Sequence, residues 1–571
     1  MNKAMKLTCG PLTLFYQDGF VRYIQHGSDE VLRMIYFALR DENWVTVDLS
    51  IVNETIEEHQ DGFAIRCEAL NRRDGKVLIT WQISIQVKRN GSLVFSINGN
   101  VLEDFKKNRA GFCVLHPLKG VIGEPVVLSH PDGTKSEHAF PTLIVPATPF
   151  KEVTGMRWRI NAKWYNLKFE GDIFETEDQR NWGDASFKTF CTPQRLPFPA
   201  PLRKGDQISQ RIEFHCENSE PSPVIDNMIT ISKGSSILRL PEIGIGSSPS
   251  EEFTEKIFAL LKDIKFDHYR IDVDLSNPEW PDIFSSDVLA GQRLESPFEI
   301  ALHLPSDPRD ETDKFINLLR RERIPVRKVT LLSKNELTTK DLHILFIPLL
   351  REMIPGAEFG IGTDFNFTEL NRYRMNKSDA DYVTFAVDPQ EHATDDLTVI
   401  ENAEAPYWGV ASAFDLYELP VHVSPVLLKR KYNPYATDPA AFIIPEEERF
   451  DARQQKQFCA LWTLGSVKSL VNAKAAGATY FQAVGVHGIL SAEGEPYPVY
   501  DVFKLLSDKR RFGYFYETTS TAPLHVDALW AEDGPVIVWN YTDQTQEVLI
   551  EPLKKTVILS PHAFEVIEFT T

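Results

Sequence analysis

The sequence predicts an α/β plus all-β protein: a central (β/α)8 TIM barrel flanked by an N-terminal β-sandwich and a small C-terminal β-sandwich. Three observations carry this prediction. From the N-terminus to about Pro221 the chain alternates apolar and polar residues with period two. From Pro241 it changes to a repeated strand–helix rhythm, and after Phe512 short strands return. The expected domains are 1–226, 227–509 and 510–571.

In the first part, Val77, Ile79, Trp81, Ile83, Ile85 and Val87 share one face, and Thr80, Gln82, Ser84 and Gln86 the other. That alternation marks a half-buried strand. Asp74-Gly75 before it and Asn90-Gly91 after it are hairpin dipeptides. Leu93, Phe95 and Ile97 then alternate again. Two segments look less like plain sheet: Asn108–Pro117, and Glu175–Lys188, where Glu177, Asp178, Arg180, Asn181, Asp184 and Lys188 surround Trp182. The second reads either as a salt-bridged corner or as a contribution to a ligand site at a domain interface.

In the barrel the expected strands are Pro241–Gly246, Tyr269–Leu275, Phe298–Leu304, Val326–Leu332, Phe359–Ile361, Tyr382–Val387, Pro420–Leu428 and Thr479–Val484. Ser248-Pro249-Ser250-Glu251 has the form of a helix start, Ser at N-cap and Pro at N1, ahead of Phe253, Ile257, Leu261 and Ile264. Phe315, Leu318 and Leu319 mark a second helix, Asp341–Ile354 a third holding Pro348, and Asp451–Ala476 a last one. The C-terminal strands are expected at Leu524–Trp530, Val536–Tyr541, Glu547–Ile550, Thr556–Leu559 and Phe564–Phe569, with a turn at Asp533-Gly534.

The fifth and sixth barrel strands each open into a polar cluster: Asp364, Asn366, Glu369, Asn371 and Arg372, then Asp388, Gln390, Glu391, His392, Asp395 and Asp396. Any one of these is an ordinary loop residue. Two clusters after consecutive strands point instead to the catalytic mouth, which a (β/α)8 barrel builds at its strand C-termini.

Composition narrows the function. With 571 residues, 43% hydrophobic and 25% charged, the chain is globular and multidomain. A net charge of −20 argues against nucleic acid and anionic membranes as partners and suits a small-molecule ligand. No run of about 18 apolar residues suggests a membrane span, and the N-terminus lacks a signal-peptide core. Six scattered cysteines without a CxxC pair fit free thiols in the cytoplasm. Oligomeric state is not legible.

The three-part layout resembles retaining glycosidases, which need two carboxylates about 5 Å apart. Asn335-Glu336 lies near the fourth strand, where that clan keeps its acid/base Glu. Strand seven, however, supplies no acid from His422 until Asp438, so the pair is incomplete and the match reads as chance. GxSxG, Walker, HExxH and GxGxxG motifs are absent. Gly244-Ile-Gly246 and Gly360-Ile-Gly362 suit tight strand packing. Asp388 and His392 imitate metal ligands at i,i+4, but no further His accompanies them. No metal and no cofactor are expected. Arg270, Asp272 and Asp274 alternate on the second strand as an ion network or a pocket wall. His303, His422 and His487 each lie in or just past a strand and read singly as structural.

Five motifs, NRAGFCVLHPL (108–118), EDQRNWGDASFKTF (177–190), FTELNR (367–372), the Pro389–His392 run and ATYFQAVG (478–485), together resemble the D-apionate lactonase family, in the right order and across nearly the whole chain. The resemblance implies hydrolysis of D-apionolactone to D-apionate in apiose breakdown. One departure is Gln482, where the family usually has Glu, and it bears on activity or substrate range. Lactone hydrolysis needs a base for water, an oxyanion stabiliser and an acid for the leaving oxygen. The chemistry assigns Glu369 and His392 to acid–base work, and Asp364, Asn371, Arg372, Gln390 and Gln482 to substrate binding. The alternatives are a glycoside hydrolase with a non-standard carboxylate pair and a catalytically impaired carbohydrate-binding homologue.

Overall fold

The structure, a computed structural model, describes residues 4–217, 228–305, 307–333, 336–436, 442–532 and 534–568. The chain forms two compact units: Met1–Gln179 with Ala185–Asp226, and Arg180–Asp184 with Asn227–Thr571. The second unit thus takes five residues from the midst of the first.

The first unit is two nine-stranded antiparallel sheets. Strand Lys76–Lys88 buries Ile79, Trp81, Ile83, Ile85 and Val87 and leaves Gln82 and Gln86 exposed, as period two requires. Asp74 (φ 51°) and Gly75 (φ 76°) supply the two positive-φ residues of a mirror-image turn. The sheets pack face to face: the Phe37 ring lies 5.0 Å from Trp81, and Phe95 4.9 Å from Phe112. In hairpin Phe174–Asp178/Ser186–Phe190, Glu177 is directly opposite Lys188 and pairs with it. The residues at the hairpin tip, Arg180–Asp184, belong to the second unit.

In the second unit eight parallel strands close a barrel: β1 (Glu242–Gly246), β2 (His268–Asp274), β3 (Phe298–Leu304), β4 (Val326–Ser333), β5 (Glu358–Gly362), β6 (Tyr382–Val387), β7 (Val421–Val426) and β8 (Gly477–Val484), with β8 pairing β1. β3 is buried along its whole length, as a strand covered on both faces must be. Gly360 permits close packing, since a Cβ there would stand 2.1 Å from the Tyr382 ring.

Two helix expectations need correction. The first helix is Glu255–Ile264, capped by Thr254, whose side chain accepts from the Ile257 N–H. Ser248 is not its cap: its hydroxyl is consumed by β8, donating to Val484 O and accepting from Val484 N–H. The expected helix over 451–476 is broken into a 3-10 turn, Ala452–Gln455, and an α-helix, Gln457–Asn472. Asp451 caps the 3-10 turn by accepting from Arg453 N–H at 2.9 Å, and the break falls at Lys456, whose backbone is extended (φ −119°, ψ 165°).

The C-terminal strands form one seven-stranded sheet around Ile231, Val526, Ala528, Val538, Val548 and Ile550. One of its strands, Ile229–Arg239, comes from before the barrel and pairs with both Tyr514–Ser520 and Gln546–Ile550. Phe569, Asp533 and the 226/227 boundary lie outside the described residues. Among the described residues, no helix is long and apolar enough to cross a membrane.

Candidate functional site

The barrel interior is polar beneath its mouth. Buried Glu299 on β3 accepts from the hydroxyls of Ser424 (2.9 Å) and Thr479 (3.0 Å) and faces His268 at 2.9 Å. Ser424 also accepts from Arg270 Nη1 at 2.8 Å. Anchored there, the buried Arg270 guanidinium reaches toward the mouth and donates to Asp272 Oδ1 at 2.7 Å and Asp364 Oδ1 at 2.8 Å. Lys431, from the loop after β7, donates to Asp272 Oδ2 at 2.6 Å. Against the upward push of burial, the Arg270 and Lys431 charges hold Asp272 well below the usual carboxylate range.

Three adjoining cavities open at the C-terminal ends of the strands. The first, about 400 Å³, is lined by Trp182, Asp364, Glu369, Asp388, Lys431 and Tyr435 among others. The second, about 310 Å³, lies beside His303, Ser333, Thr363 and Phe442 and shares Asp364, Phe365 and Tyr432 with the first. The third, about 400 Å³, holds Gln482, His487 and Asp451 and shares Leu427 and Lys431 with the first. Lys431 and Tyr432 are therefore the partitions.

The first cavity holds two buried carboxyl groups. Glu369, on the short helix Phe367–Arg372 after β5, is 1% exposed. The Tyr435 hydroxyl donates to its Oε1 at 2.6 Å, and Trp182 Nε1 donates to the same hydroxyl at 3.1 Å. Burial raises the Glu369 pKa, while the Tyr435 bond and the Arg372 charge pull against it. Asp388, just past β6, is buried with Oδ2 unpartnered. Burial, then the Glu391 charge, pushes it up to about 7 against Arg430, which itself pairs with Glu391. Gly183 (φ +84°) packs against this turn, and a Cβ there would meet Asp388 O at 2.8 Å.

The sequence-assigned residues divide. Asp364, Glu369 and Gln482 line cavities. Asn371, Arg372, Gln390 and His392 do not line these three: hydrogen bonds engage Asn371, Gln390 and His392, and Arg372 is exposed. His392 Nδ1 lies 2.6 Å from Asp184 Oδ2, and its ring packs edge-on against Trp182 at 5.5 Å. Asn371 bonds Asn181 and Arg374. Gln390 donates to Leu428 O and Asp451 and accepts from Arg453. Arg372 is exposed, its guanidinium 5.1 Å from the Trp182 ring. Asn335 lies outside the described residues, and Glu336 is half-exposed and paired with Lys340. Of the histidines, His303 and His487 line the second and third cavities, while His422 is buried against Tyr382 at 4.6 Å. Asp388, which the sequence offers only as a metal-ligand mimic beside His392, lines the first cavity. Lys431, Tyr432 and Tyr435 carried no signal beyond lying past a strand end.

Asp272, His303 and Asp364 offer donor atoms within 4.8 Å of one another, the spacing of a cation site. Both oxygens of Asp272 already accept from Arg270 or Lys431. Two cationic side chains thus stand where a metal would need negative charge.

Residues 1–219 match the family model for the D-apionate lactonase N-terminal domain, and residues 243–511 that for the D-apionate lactonase TIM barrel domain. A D-apionate lactonase of Brucella anthropi is 29% identical, over 99% of this chain and 96% of that one. Among solved structures, a GH30 endoxylanase from Clostridium papyrosolvens is similar at TM-score 0.39 and 9% identity over 57% of this chain and 88% of its own. A family 51 α-L-arabinofuranosidase from Bifidobacterium longum is similar at TM-score 0.41 and 10% identity over 60% and 95%. Likenesses this distant say nothing about substrate. The two domain matches together span most of the sequence, and the chain belongs to the D-apionate lactonase family.

Proposed function

We propose that this protein hydrolyses a sugar lactone, D-apionolactone to D-apionate, in apiose catabolism. Family membership supports the reaction class. The observation that carries the site assignment is the first cavity, where two buried carboxyl groups, Glu369 and Asp388, line one small chamber with Lys431 and Tyr435.

Water attack on a lactone carbonyl requires a base near neutrality, and Asp388, at about 7 with a free Oδ2, meets that requirement. Lys431 lines the same chamber, and beyond the N–H it gives to Asp272 its ammonium has further donors for the developing oxyanion. Glu369 is the second carboxyl group of the chamber and takes the proton transfer to the ring oxygen as it leaves, with the Tyr435 hydroxyl fixing its orientation. His392 moves in this proposal from proton transfer to positioning: with Asp184 it holds Trp182, a wall of the chamber. Asp364 and Gln482 remain substrate-binding residues.

A panel of aldonolactones including D-apionolactone, assayed by acid release, tests the reaction class. Hydrolysis confined to lactones is expected. Release of reducing sugar from glycosides, without lactone opening, would replace lactonase with glycosidase.

A further inference from the structure

Two buried polar atoms face each other in the second cavity without a partner. His303 Nε2 and Asp364 Oδ2 both lack a partner within hydrogen-bond distance, on side chains 7% and 5% exposed, and Asp272 Oδ1 stands 3.9 Å from the same imidazole nitrogen. An unmet buried acceptor or donor is costly, so such a pair marks a place that a ligand completes. Their separation is 3.7 Å, too long for a direct hydrogen bond. It is the right span for an oxygen ~2.8 Å from each, donating to the carboxylate and accepting from the imidazole N–H.

The surroundings favour a neutral hydroxyl over an ion. Arg270 fixes Asp364 through its other oxygen and buttresses Asp272 beside it. Lys431 neutralises Asp272 further. Tyr432, Phe365 and Phe442 form an aromatic wall, with ring centroids 5.5 to 5.7 Å apart. A hydroxylated carbon packs well on such a wall while its oxygen reaches the polar pair. Asp364 and Tyr432 border both chambers, so one ligand can extend across them.

We propose that His303 and Asp364 form a hydroxyl-reading subsite: the second cavity takes a hydroxyl-bearing arm of the lactone while its carbonyl lies in the first. This rests on the lactonase proposal for the identity of the ligand. A site built to bond a hydroxyl rejects the analogue lacking it far more strongly than an apolar pocket rejects a missing methylene. The substrate class is therefore a polyhydroxylated lactone, discriminated from its deoxy analogue.

The test measures kcat/KM for a polyhydroxylated γ-lactone and for γ-butyrolactone in the wild type, Asp364→Asn and His303→Gln. The wild type should favour the hydroxylated substrate by ~10²-fold or more, and each variant should cut that ratio at least tenfold, mainly through KM. An unchanged ratio in folded variants overturns the proposal. In parallel, calorimetry compares wild-type binding of a hydroxylated γ-lactam with 2-pyrrolidinone, neither of which needs turnover. If no lactone is opened, the lactonase proposal fails, and preference for the hydroxylated lactam still supports the subsite. Equal wild-type affinities overturn the subsite even where lactones are hydrolysed. Tight Mn²⁺ or Zn²⁺ binding, lost in Asp364→Asn, also overturns it by making these atoms metal ligands.

Discussion

The Tyr435 hydroxyl donates to Glu369 Oε1 at 2.6 Å, joining the loop after β7 to the helix after β5 across the first cavity. That bond stabilises the ionised form of a carboxyl group that burial otherwise drives toward the neutral form. Removing it in Tyr435→Phe should therefore raise the Glu369 pKa. The limb of the kcat/KM–pH profile that reports Glu369 should move to higher pH, with a rate loss nearer tenfold than thousandfold. A limb that stays in place would detach Tyr435 from this role.

Asp388 gives a second pH signature, in stability. Its folded pKa, about 7, lies above its unfolded value of about 3.9. The native state thus holds the proton longer than the unfolded chain. Its stabilising contribution is full below about pH 4 and is lost as pH rises through about 7. Denaturant unfolding of the wild type and Asp388→Asn should show a stability difference that shifts in favour of the variant across that interval. A difference independent of pH would contradict the burial argument.

His392 serves as a control on the mechanism. If it positions Trp182 through Asp184, His392→Asn should lower kcat/KM by less than about tenfold and leave the pH profile unchanged. Asp184→Asn should do the same, and the double variant should add little, since the two act as one unit. A loss of ~10²-fold together with a vanished limb would return His392 to acid–base chemistry.

Metal dependence gives a fourth test. Activity should survive EDTA, because Arg270 and Lys431 already satisfy Asp272 in the one cluster of cation-site spacing found among the described residues. Full loss with recovery on adding a divalent ion would contradict this.

The barrel was legible because its strands are short apolar runs separated by helix-period segments, and β3 and β6 fall on their expected residues. The clusters after β5 and β6 were legible for the same reason, since strand ends fix where loops open. Which cluster members face the ligand was not. Glu369 and Arg372 lie three residues apart on one short helix, yet one is buried in the cavity and the other exposed. Gln390 carries the right chemistry for sugar hydroxyls, but Asp451 and Arg453, some sixty residues later, consume it. The upstream strand Ile229–Arg239 was illegible in the same way, since its partners lie beyond the barrel. Local periodicity reveals elements, and non-local hydrogen bonds decide what each polar side chain is free to do.

The proposed function places the opening of a sugar lactone in the chamber holding Glu369 and Asp388. Its most direct test is a pH-stat measurement of D-apionolactone hydrolysis by the wild type, Glu369→Gln and Asp388→Asn, each confirmed folded by circular dichroism. The wild type should release acid, and each variant should lose ~10²–10⁴-fold in kcat. Wild-type hydrolysis that both variants retain within about tenfold would place the chemistry elsewhere and contradict the claim.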